Sequence, residues 1–186
     1  MHQILTLDSQ GQPKKWSTVE DAITLKVKGM INWELGNEVK LHGGYSRISG
    51  NRSIVEVGTI ISLKGNNKHK RITPNLNNKN LFRRDLNVCA YCGRLTLDSG
   101  LTRDHIIPKS RGGRNIWTNC VSACRRCNLS KNDQTPEEAG LKLLYVPYVP
   151  SHAEELILNN RRILADQMEF LLGFISEHSR VHKLAI

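Results

Sequence analysis

The alternation of hydrophobic and polar positions predicts short strands and one helix in the first third of the chain. Two runs rich in β-branched residues, ILTL at positions 4–7 and IVEVGTIISL at positions 54–63, are typical of strands. Between them, a helical pattern begins at Ser17, which is an N-cap residue type, and ends at Gly29. Residues 1–64 are therefore expected to form a small N-terminal α+β module.

The last part of the chain has apolar residues at helical spacing. A helix start is predicted at Thr135, with Pro136 at the first helical position. Residues 152 to about 178 then form one long amphipathic pattern. Such a stripe usually packs against a core, and the alternative is the seam of a homodimer through this C-terminal helix. The region 135–186 is therefore expected to consist of C-terminal helices.

The middle of the chain lacks both periodicities. Residues 65–84 are rich in asparagine, lysine and arginine, which is typical of a connecting segment and suits contact with phosphates. Residues 85–134 contain all five cysteines and are interpreted as a separate central core. The expected fold class is α+β for the chain as a whole.

The sequence shows no pattern that would place the protein in a membrane. No apolar run is long enough to cross a bilayer. The first ten residues, MHQILTLDSQ, lack the basic start and long apolar centre of a secretory signal. The expected location is the cytoplasm, where disulfides are uncommon.

The positive charge of the protein is concentrated in the middle of the chain. Residues 70–131 carry 13 lysines and arginines against three aspartates, 13 − 3 = +10, which equals the formal net charge of the whole chain. A charge run can be merely a solvated face. Because the whole excess lies in one third of the chain, a surface for a polyanion explains it better.

Four of the five cysteines have the spacing of a zinc site. Cys89 and Cys92 enclose two residues, and so do Cys124 and Cys127. Two such knuckles supply the four thiolates of a tetrahedral zinc site, which has no open position and is therefore structural. The alternative, a redox Cys-x-x-Cys motif, leaves the second pair unexplained. The fifth cysteine, Cys120, is interpreted as a small core residue.

The residues around the two knuckles resemble a known nuclease family. The motif consists, in chain order, of Cys89-x-x-Cys92, DHIIP at 104–108, a glycine pair, Asn119, CRRCN at 124–128 and Lys131. It is similar to the zinc-stabilised branch of the HNH endonucleases, also called ββα-metal or His-Me finger nucleases, of bacterial type. The third position is Asn128 rather than histidine, which corresponds to an HNN variant. The resemblance is most specific over residues 82–139 and implies a central ββα-metal HNH fold.

The resemblance also implies a role for each residue of the motif. His105 would be the general base, since a neutral imidazole can take a proton from water. Asp104 and Asn128 would hold a catalytic ion, and their oxygen atoms favour Mg²⁺ or Mn²⁺. Asn119 would help to fix His105 and its loop. Because successive residues of a strand point to opposite faces, Asp104 is expected to face the metal, and His105 the water and the phosphate.

Cations in and around the motif are expected to contact the nucleic-acid backbone. Such contacts position the substrate without reading its bases. The predicted set is Arg83, Arg84, Lys109, Arg111, Arg114, Arg125, Arg126 and Lys131.

The expected function is hydrolysis of DNA phosphodiester bonds by metal-assisted attack of water. The family resemblance implies products with 5′-phosphate and 3′-hydroxyl ends. Two alternatives stay open: a zinc-ribbon protein that binds nucleic acid without cutting it, and an HNH nuclease that acts on RNA.

Overall fold

The computed structural model describes residues 3–45, 47–65 and 73–183, and it has the mixed α+β class expected from the sequence. The chain divides into two compact units. The first comprises Met1–Arg71 and Asn159–Phe174, and the second comprises Ile72–Leu158 and Ile175–Ile186. Residues 66–72 of the predicted connecting segment lie outside the described residues. Among the helices that are described, none combines the length and the apolar character needed to cross a membrane.

The first unit is built on a four-stranded sheet. Its strands are β1 (Ile4–Leu7), β2 (Pro13–Ser17), β3 (Ile31–Tyr45) and β4 (Arg52–Leu63), in the order β2-β1-β4-β3. β1 runs parallel to β4, and the other pairs are antiparallel. The helix α1 (Val19–Val27) buries Ala22 and Ile23 over the apolar side chains of this sheet. The first unit therefore combines strands and a helix, as expected for residues 1–64, but it also includes residues 159–174, which were assigned to the C-terminal region.

The start of α1 differs from the prediction by one residue. Ser17 is the last residue of β2, where it pairs with Ile4, so its backbone is used by the sheet. The N-cap is Thr18, whose Oγ1 accepts a hydrogen bond from the Asp21 amide at 3.1 Å. At the other end, Gly29 takes φ +67°, a left-handed conformation in which glycine is favoured, and the helix stops there as expected.

The single long C-terminal helix predicted from the apolar stripe is wrong. The structure has two short helices instead, α4 (His152–Asn159) and α5 (Ala165–Leu172). Between them the Asn160 side chain accepts a hydrogen bond from the Arg162 amide at 3.0 Å, a local turn that competes with helix formation.

The two short helices bury their apolar residues in different units. Leu156 of α4 lies in the second unit and Leu171 of α5 in the first, and both are buried. The predicted homodimer seam loses its structural basis, because the stripe is neither continuous nor exposed. The helix predicted from Thr135 is also wrong, because residues 136–140 form a turn and no helix. The turn ends at Gly140, which has φ +66°.

The second unit is built around a two-stranded sheet. β5 (Leu101–His105) and β6 (Cys120–Cys124) pair antiparallel. The helix α2 (Asn78–Arg84) precedes them, and α3 (Arg125–Lys131) follows β6 directly. Among its described residues the unit also contains four short 3-10 helices, at Asp98–Gly100, Lys109–Arg111, Trp117–Asn119 and Arg180–Lys183. Separate apolar clusters lie on the two faces of the small sheet.

Arg84, predicted to contact nucleic acid, is instead part of the interior of this unit. It is 1% exposed and forms an ion pair with Asp85, with Nε 2.8 Å from Oδ1. Its remaining N–H groups donate to the backbone carbonyls of Trp117, Cys120 and Tyr148. The prediction for Arg84 is therefore corrected: the side chain points inward from the last turn of α2, where a carboxylate and three carbonyls satisfy its donors.

Candidate active site

Two strands and a helix form the centre of the second unit. Asp104 lies opposite Val121 in the β5–β6 pair, and His105 lies opposite Cys120. Directly paired residues share a face of the sheet. Val121 packs against Cys127 of α3, while Cys120 packs in the cluster that includes α2. Asp104 therefore belongs to the α3 face, and His105 belongs to the opposite face.

The four cysteines expected to bind zinc converge in space. The Sγ atoms of Cys89, Cys92, Cys124 and Cys127 all lie within 4.8 Å of one another, and those of Cys92 and Cys124 are 3.9 Å apart. Zinc–sulfur bonds of about 2.3 Å give a tetrahedron with edges of about 3.8 Å. No disulfide competes, because all five cysteines are free. The cluster is therefore suited to a metal such as zinc.

Hydrogen bonds connect this thiol cluster to the strands and to α3. The Ala90 amide donates to the Ser122 carbonyl of β6 at 2.8 Å, and the Gly93 amide donates to the Cys89 carbonyl at 3.0 Å, which closes the first knuckle. Cys124 is the N-cap residue of α3. An ion held by the four thiolates would thus fix both β6 and the first turn of α3.

Asp104 is a buried carboxylate with two side-chain donors. The Tyr91 hydroxyl donates to Oδ2, and the Lys131 ammonium lies 3.0 Å from Oδ1. Burial, followed by the adjacent Asp104 carboxylate, raises the pKa of Tyr91, so this hydroxyl keeps its proton. Asp104 itself is only 4% exposed.

Lys131 does not have the exposed position that the sequence suggests. Its side chain is fully buried, and Nζ donates to the His105 carbonyl at 2.8 Å as well as to Asp104. The prediction of a phosphate contact is corrected accordingly. Lys131 connects α3 to the end of β5 and partly balances the charge of the carboxylate.

Asn128 lies on the same side of β5 as Asp104. Its Nδ2 donates to the Thr102 hydroxyl oxygen at 2.9 Å, and Thr102 precedes Asp104 by two residues, so both share one face of the strand. The Thr102 hydroxyl donates its single proton to the Ala123 carbonyl at 2.9 Å. The Asn128 atom that faces this hydroxyl must therefore be the nitrogen. This assignment leaves Oδ1 of Asn128 as the atom that can ligate a cation.

His105 is half-buried and contacts a residue outside the predicted set. Its Nε2 lies 3.2 Å from Oδ1 of Asn115, and an N–H of Arg103 donates to the same oxygen at 2.9 Å. Burial lowers the pKa of His105, the hydrogen bond to Asn115 acts in the opposite direction, and the nearby charge of Lys109 lowers it further. The imidazole is therefore biased towards its neutral form.

The same contacts determine which nitrogen of His105 carries the proton. Arg103 can only donate, so the Asn115 atom that it contacts must be the oxygen. Nε2 of His105 faces that oxygen and must be the protonated nitrogen of the neutral ring. Nδ1 then holds the lone pair and is the nitrogen that can accept a proton.

Asn119 holds the loop after His105 and not the imidazole ring. Its Oδ1 accepts from the Ile107 amide at 2.9 Å, and its Nδ2 donates to the carbonyls of Ile107 and Arg114 at 3.1 and 2.9 Å. The expectation that Asn119 helps to fix the loop agrees with these bonds. The side-chain contact to the ring is made by Asn115 instead.

The remaining predicted phosphate contacts lie at the surface of the second unit, except for one. The exposed residues are Lys109, Arg111, Arg114, Arg125 and Arg126. Arg111 pairs with Glu138 at 2.6 Å, which reduces the charge that it can offer to a phosphate. Arg83 is half-buried.

Two residues near the predicted site have roles that the sequence did not reveal. Asn115 contacts the ring of His105, and Tyr91, inside the first knuckle, donates to Asp104. Their positions depend on how the loop and the knuckle fold back onto β5. The only sequence signals are that Tyr91 lies within the first cysteine pair and that Asn115 lies between the two pairs.

Comparison with known proteins agrees with this arrangement. Residues 89–144, less than a third of the chain, match the family model described as HNH endonuclease. No curated protein matches the chain. The matched segment contains the four converging thiols together with β5, β6 and α3. Residues 89–144 are therefore similar to the HNH endonuclease family, in line with the motif found in the sequence.

Proposed function

We propose that this protein is a metal-dependent endonuclease that hydrolyses phosphodiester bonds in DNA, with His105 as the general base. The observation that carries the proposal is the separation of Asp104 and His105 onto opposite faces of β5. One face combines oxygen atoms suited to a hard cation, and the other offers a half-buried imidazole with a proton-accepting nitrogen. Exposed arginines of the same unit supply positive charge for the substrate.

The donor set on the α3 face fits Mg²⁺ or Mn²⁺. Each carboxylate oxygen has two acceptor positions, so Asp104 can ligate an ion while it accepts from Tyr91 and Lys131. Oδ1 of Asn128 would be the second protein ligand, because Nδ2 is used by Thr102 and both proposed ligand atoms are hard oxygen donors. A divalent ion held there supplies Lewis-acid stabilisation of the negative charge that develops on the phosphate.

The residues of this chain would perform the proton transfer and the positioning. Nδ1 of His105 takes the proton of the attacking water, and Asn115 fixes the ring through Nε2. Asn119 keeps the loop from Ile107 to Arg114 in one conformation. The thiol cluster, with zinc as the proposed ion, fixes α3 and with it Asn128. We place this reaction in the cytoplasm, where thiolates stay reduced.

Nicking of a supercoiled plasmid tests the proposal. Wild-type protein with added Mg²⁺ should convert supercoiled DNA to the open circle, and the ends should carry 5′-phosphate and 3′-hydroxyl groups. His105→Ala should reduce nicking by at least about 100-fold, because it removes general-base catalysis. His178→Ala is the matched control, since His178 is exposed in the same unit and outside the candidate site.

The same samples separate the alternatives. DNA binding and the zinc content of His105→Ala should equal those of the wild type, so that lost nicking is not lost folding. Binding without any nicking by the wild type would instead support a non-catalytic zinc-ribbon protein. Cleavage of a matched RNA duplex but not of the DNA duplex would move the proposal to an RNA nuclease.

A further inference from the structure

The distal half of β3 and β4 is a two-stranded ribbon. β1 pairs with β4 only over Ile60–Ser62. Beyond that point β4 has β3 as its only partner strand among the described residues, through pairs such as Lys40 with Glu56 and Tyr45 with Arg52. We define the ribbon tip as residues 42–45 and 47–54.

The ribbon tip is exposed and carries side chains that are unusual on a solvated surface. Val55 still packs against the core of the first unit, but the tip beyond it is exposed on both strands. Tyr45 is 73% exposed, Ile48 is 100% exposed and Ile54 is 52% exposed. Exposed aromatic and branched apolar side chains grouped at one end of an element indicate an interaction surface.

The charge of the tip points to an anionic partner. No aspartate or glutamate occurs between Glu38 and Glu56, whereas Arg47 and Arg52 are both present and exposed. The Arg52 guanidinium lies 5.9 Å from the centre of the Tyr45 ring and donates to the Gly43 carbonyl at 3.1 Å. This contact orients a cation and an aromatic surface side by side, an arrangement suited to a phosphate with its neighbouring sugar or base.

The shape of the tip favours a duplex over a flat partner. The major groove of B-DNA, about 12 Å wide, admits a two-stranded β-ribbon. Proteins that enter the minor groove combine arginine with an apolar wedge such as isoleucine. Arg47 and Ile48 are adjacent in the turn of this ribbon, which gives the tip both elements.

We infer that the ribbon tip is a second nucleic-acid contact that enters a groove of duplex DNA, with Arg47 and Arg52 on the phosphates and Ile48 against the bases or sugars. The inference rests on the proposed function for the identity of the nucleic acid. Its role is to bind the substrate, separately from the chemistry at His105, because the tip belongs to the first unit and His105 to the second.

Binding of a fluorescent 30-base-pair duplex by the full chain tests the inference. The tip variant Arg47→Gln/Ile48→Ser/Arg52→Gln is compared with the matched control Lys15→Gln/Lys28→Gln/Val27→Ser, which removes two exposed charges and one exposed apolar side chain from the same unit. Both are made in the His105→Ala background, so that the duplex stays intact. The tip variant should raise Kd by about tenfold or more. It should also reduce the magnitude of the slope of log K against log salt by roughly 1.8, as expected for two lost phosphate contacts. The control should stay within twofold of its parent.

The outcomes distinguish this inference from the proposed function. If the tip variant binds within twofold of its parent, the inference is overturned, whatever the wild type cleaves. If the wild type nicks no plasmid but the tip variant loses duplex binding, the proposed function fails and the binding contact stands. Circular dichroism checks folding. Should the triple variant fail to fold, duplex binding by the single variant Arg47→Glu decides instead. This variant changes one exposed turn residue and should raise Kd by a similar factor.

Discussion

At the scale of single residues, the orientation of His105 depends on Asn115. Asn115→Ala removes the oxygen that holds Nε2–H, so the ring can rotate and the other tautomer becomes accessible. We expect kcat for plasmid nicking to fall by about 10- to 100-fold, as is typical when the partner that orients a functional histidine is removed. KM should stay nearly constant, because binding does not use this contact.

Two comparison variants show whether Asn115 acts through orientation. Asn115→Asp keeps an acceptor at the same position and should recover most of the lost kcat. Thr118→Ala, at an exposed position of the same loop, should be neutral. Equal losses for the alanine and aspartate variants would contradict the orienting role.

The residues of the motif could be recognised from the sequence, but their partners could not. The offsets of Asp104, His105 and Asn128 are local features, and the two-residue alternation of a strand predicts that Asp104 and His105 face apart. Asn115 and Lys131 take their roles from contacts with β5 that only the folded unit makes. Asparagine and lysine are common surface residues, so nothing in their type distinguishes them.

At the scale of elements, a metal held by the four thiolates should determine the stability of the ββα arrangement. Without it, Cys124 and Cys127 no longer hold the start of α3 to the first knuckle. We expect a zinc chelator to remove several kcal/mol of stability from the second unit, because binding of a structural metal is also folding free energy. Hydrogen exchange should show lost protection at residues 120–131.

The first unit supplies the internal control for this experiment. Its strands contain none of the four cysteines, so the amides of β1 and β4 should keep their protection in the chelator. Re-addition of zinc should restore both the protection of α3 and the nicking activity. Unchanged protection at α3 after verified removal of the metal would contradict a structural role.

The buried ion pair of Arg84 and Asp85 is a second determinant of the stability of the second unit. Arg84 joins the end of α2 to the backbone carbonyls of Trp117 and Tyr148. Asp85 accepts a hydrogen bond from the Ser122 amide of β6 at 2.7 Å. Arg84→Ala leaves a buried carboxylate without its cation and should cost about 3–5 kcal/mol. Urea denaturation measures the loss. Arg125→Ala, at an exposed position, should stay within about 0.5 kcal/mol of the wild type.

Elements were predictable where the pattern alone decides them, and not where a single side chain interrupts the pattern. β1 and β4 follow from runs of β-branched residues, whereas β2 and β3 contain no such run and were not predicted. The apolar stripe continues through residues 152–178, but the turn at Asn160 breaks it, and hydrophobic spacing does not register such a turn. The buried position of Arg84 was not predicted either, because an arginine beside an aspartate usually lies at the surface.

At the scale of the whole molecule, only some of the cations concentrated in the middle of the chain are exposed and able to contact a nucleic acid. Folding buries Arg84 and Lys131, and Arg111 is paired with Glu138. Four exposed cations of the predicted set are then left in the second unit. They are Lys109, Arg114, Arg125 and Arg126. The electrostatic contribution of this unit should therefore be smaller than its formal charge suggests.

The salt dependence of DNA binding measures how many of these cations contact phosphates. Roughly four contacts in this unit contribute about −3.6 to the slope of log K against log salt, and the two proposed contacts of the ribbon tip add about −1.8. The full chain should therefore lose roughly 1,000-fold in affinity between about 50 and 200 mM salt. Arg126→Gln should reduce the magnitude of the slope by about 0.9, whereas Lys28→Gln, exposed on the first unit outside the ribbon tip, should leave it unchanged. Fluorescence anisotropy titrations at four salt concentrations, in the His105→Ala background, provide the slopes. Because neutralising a cation that touches no phosphate releases no counterions, equal slopes for wild type and Arg126→Gln would remove Arg126 from the binding surface and place the contacts elsewhere on the chain.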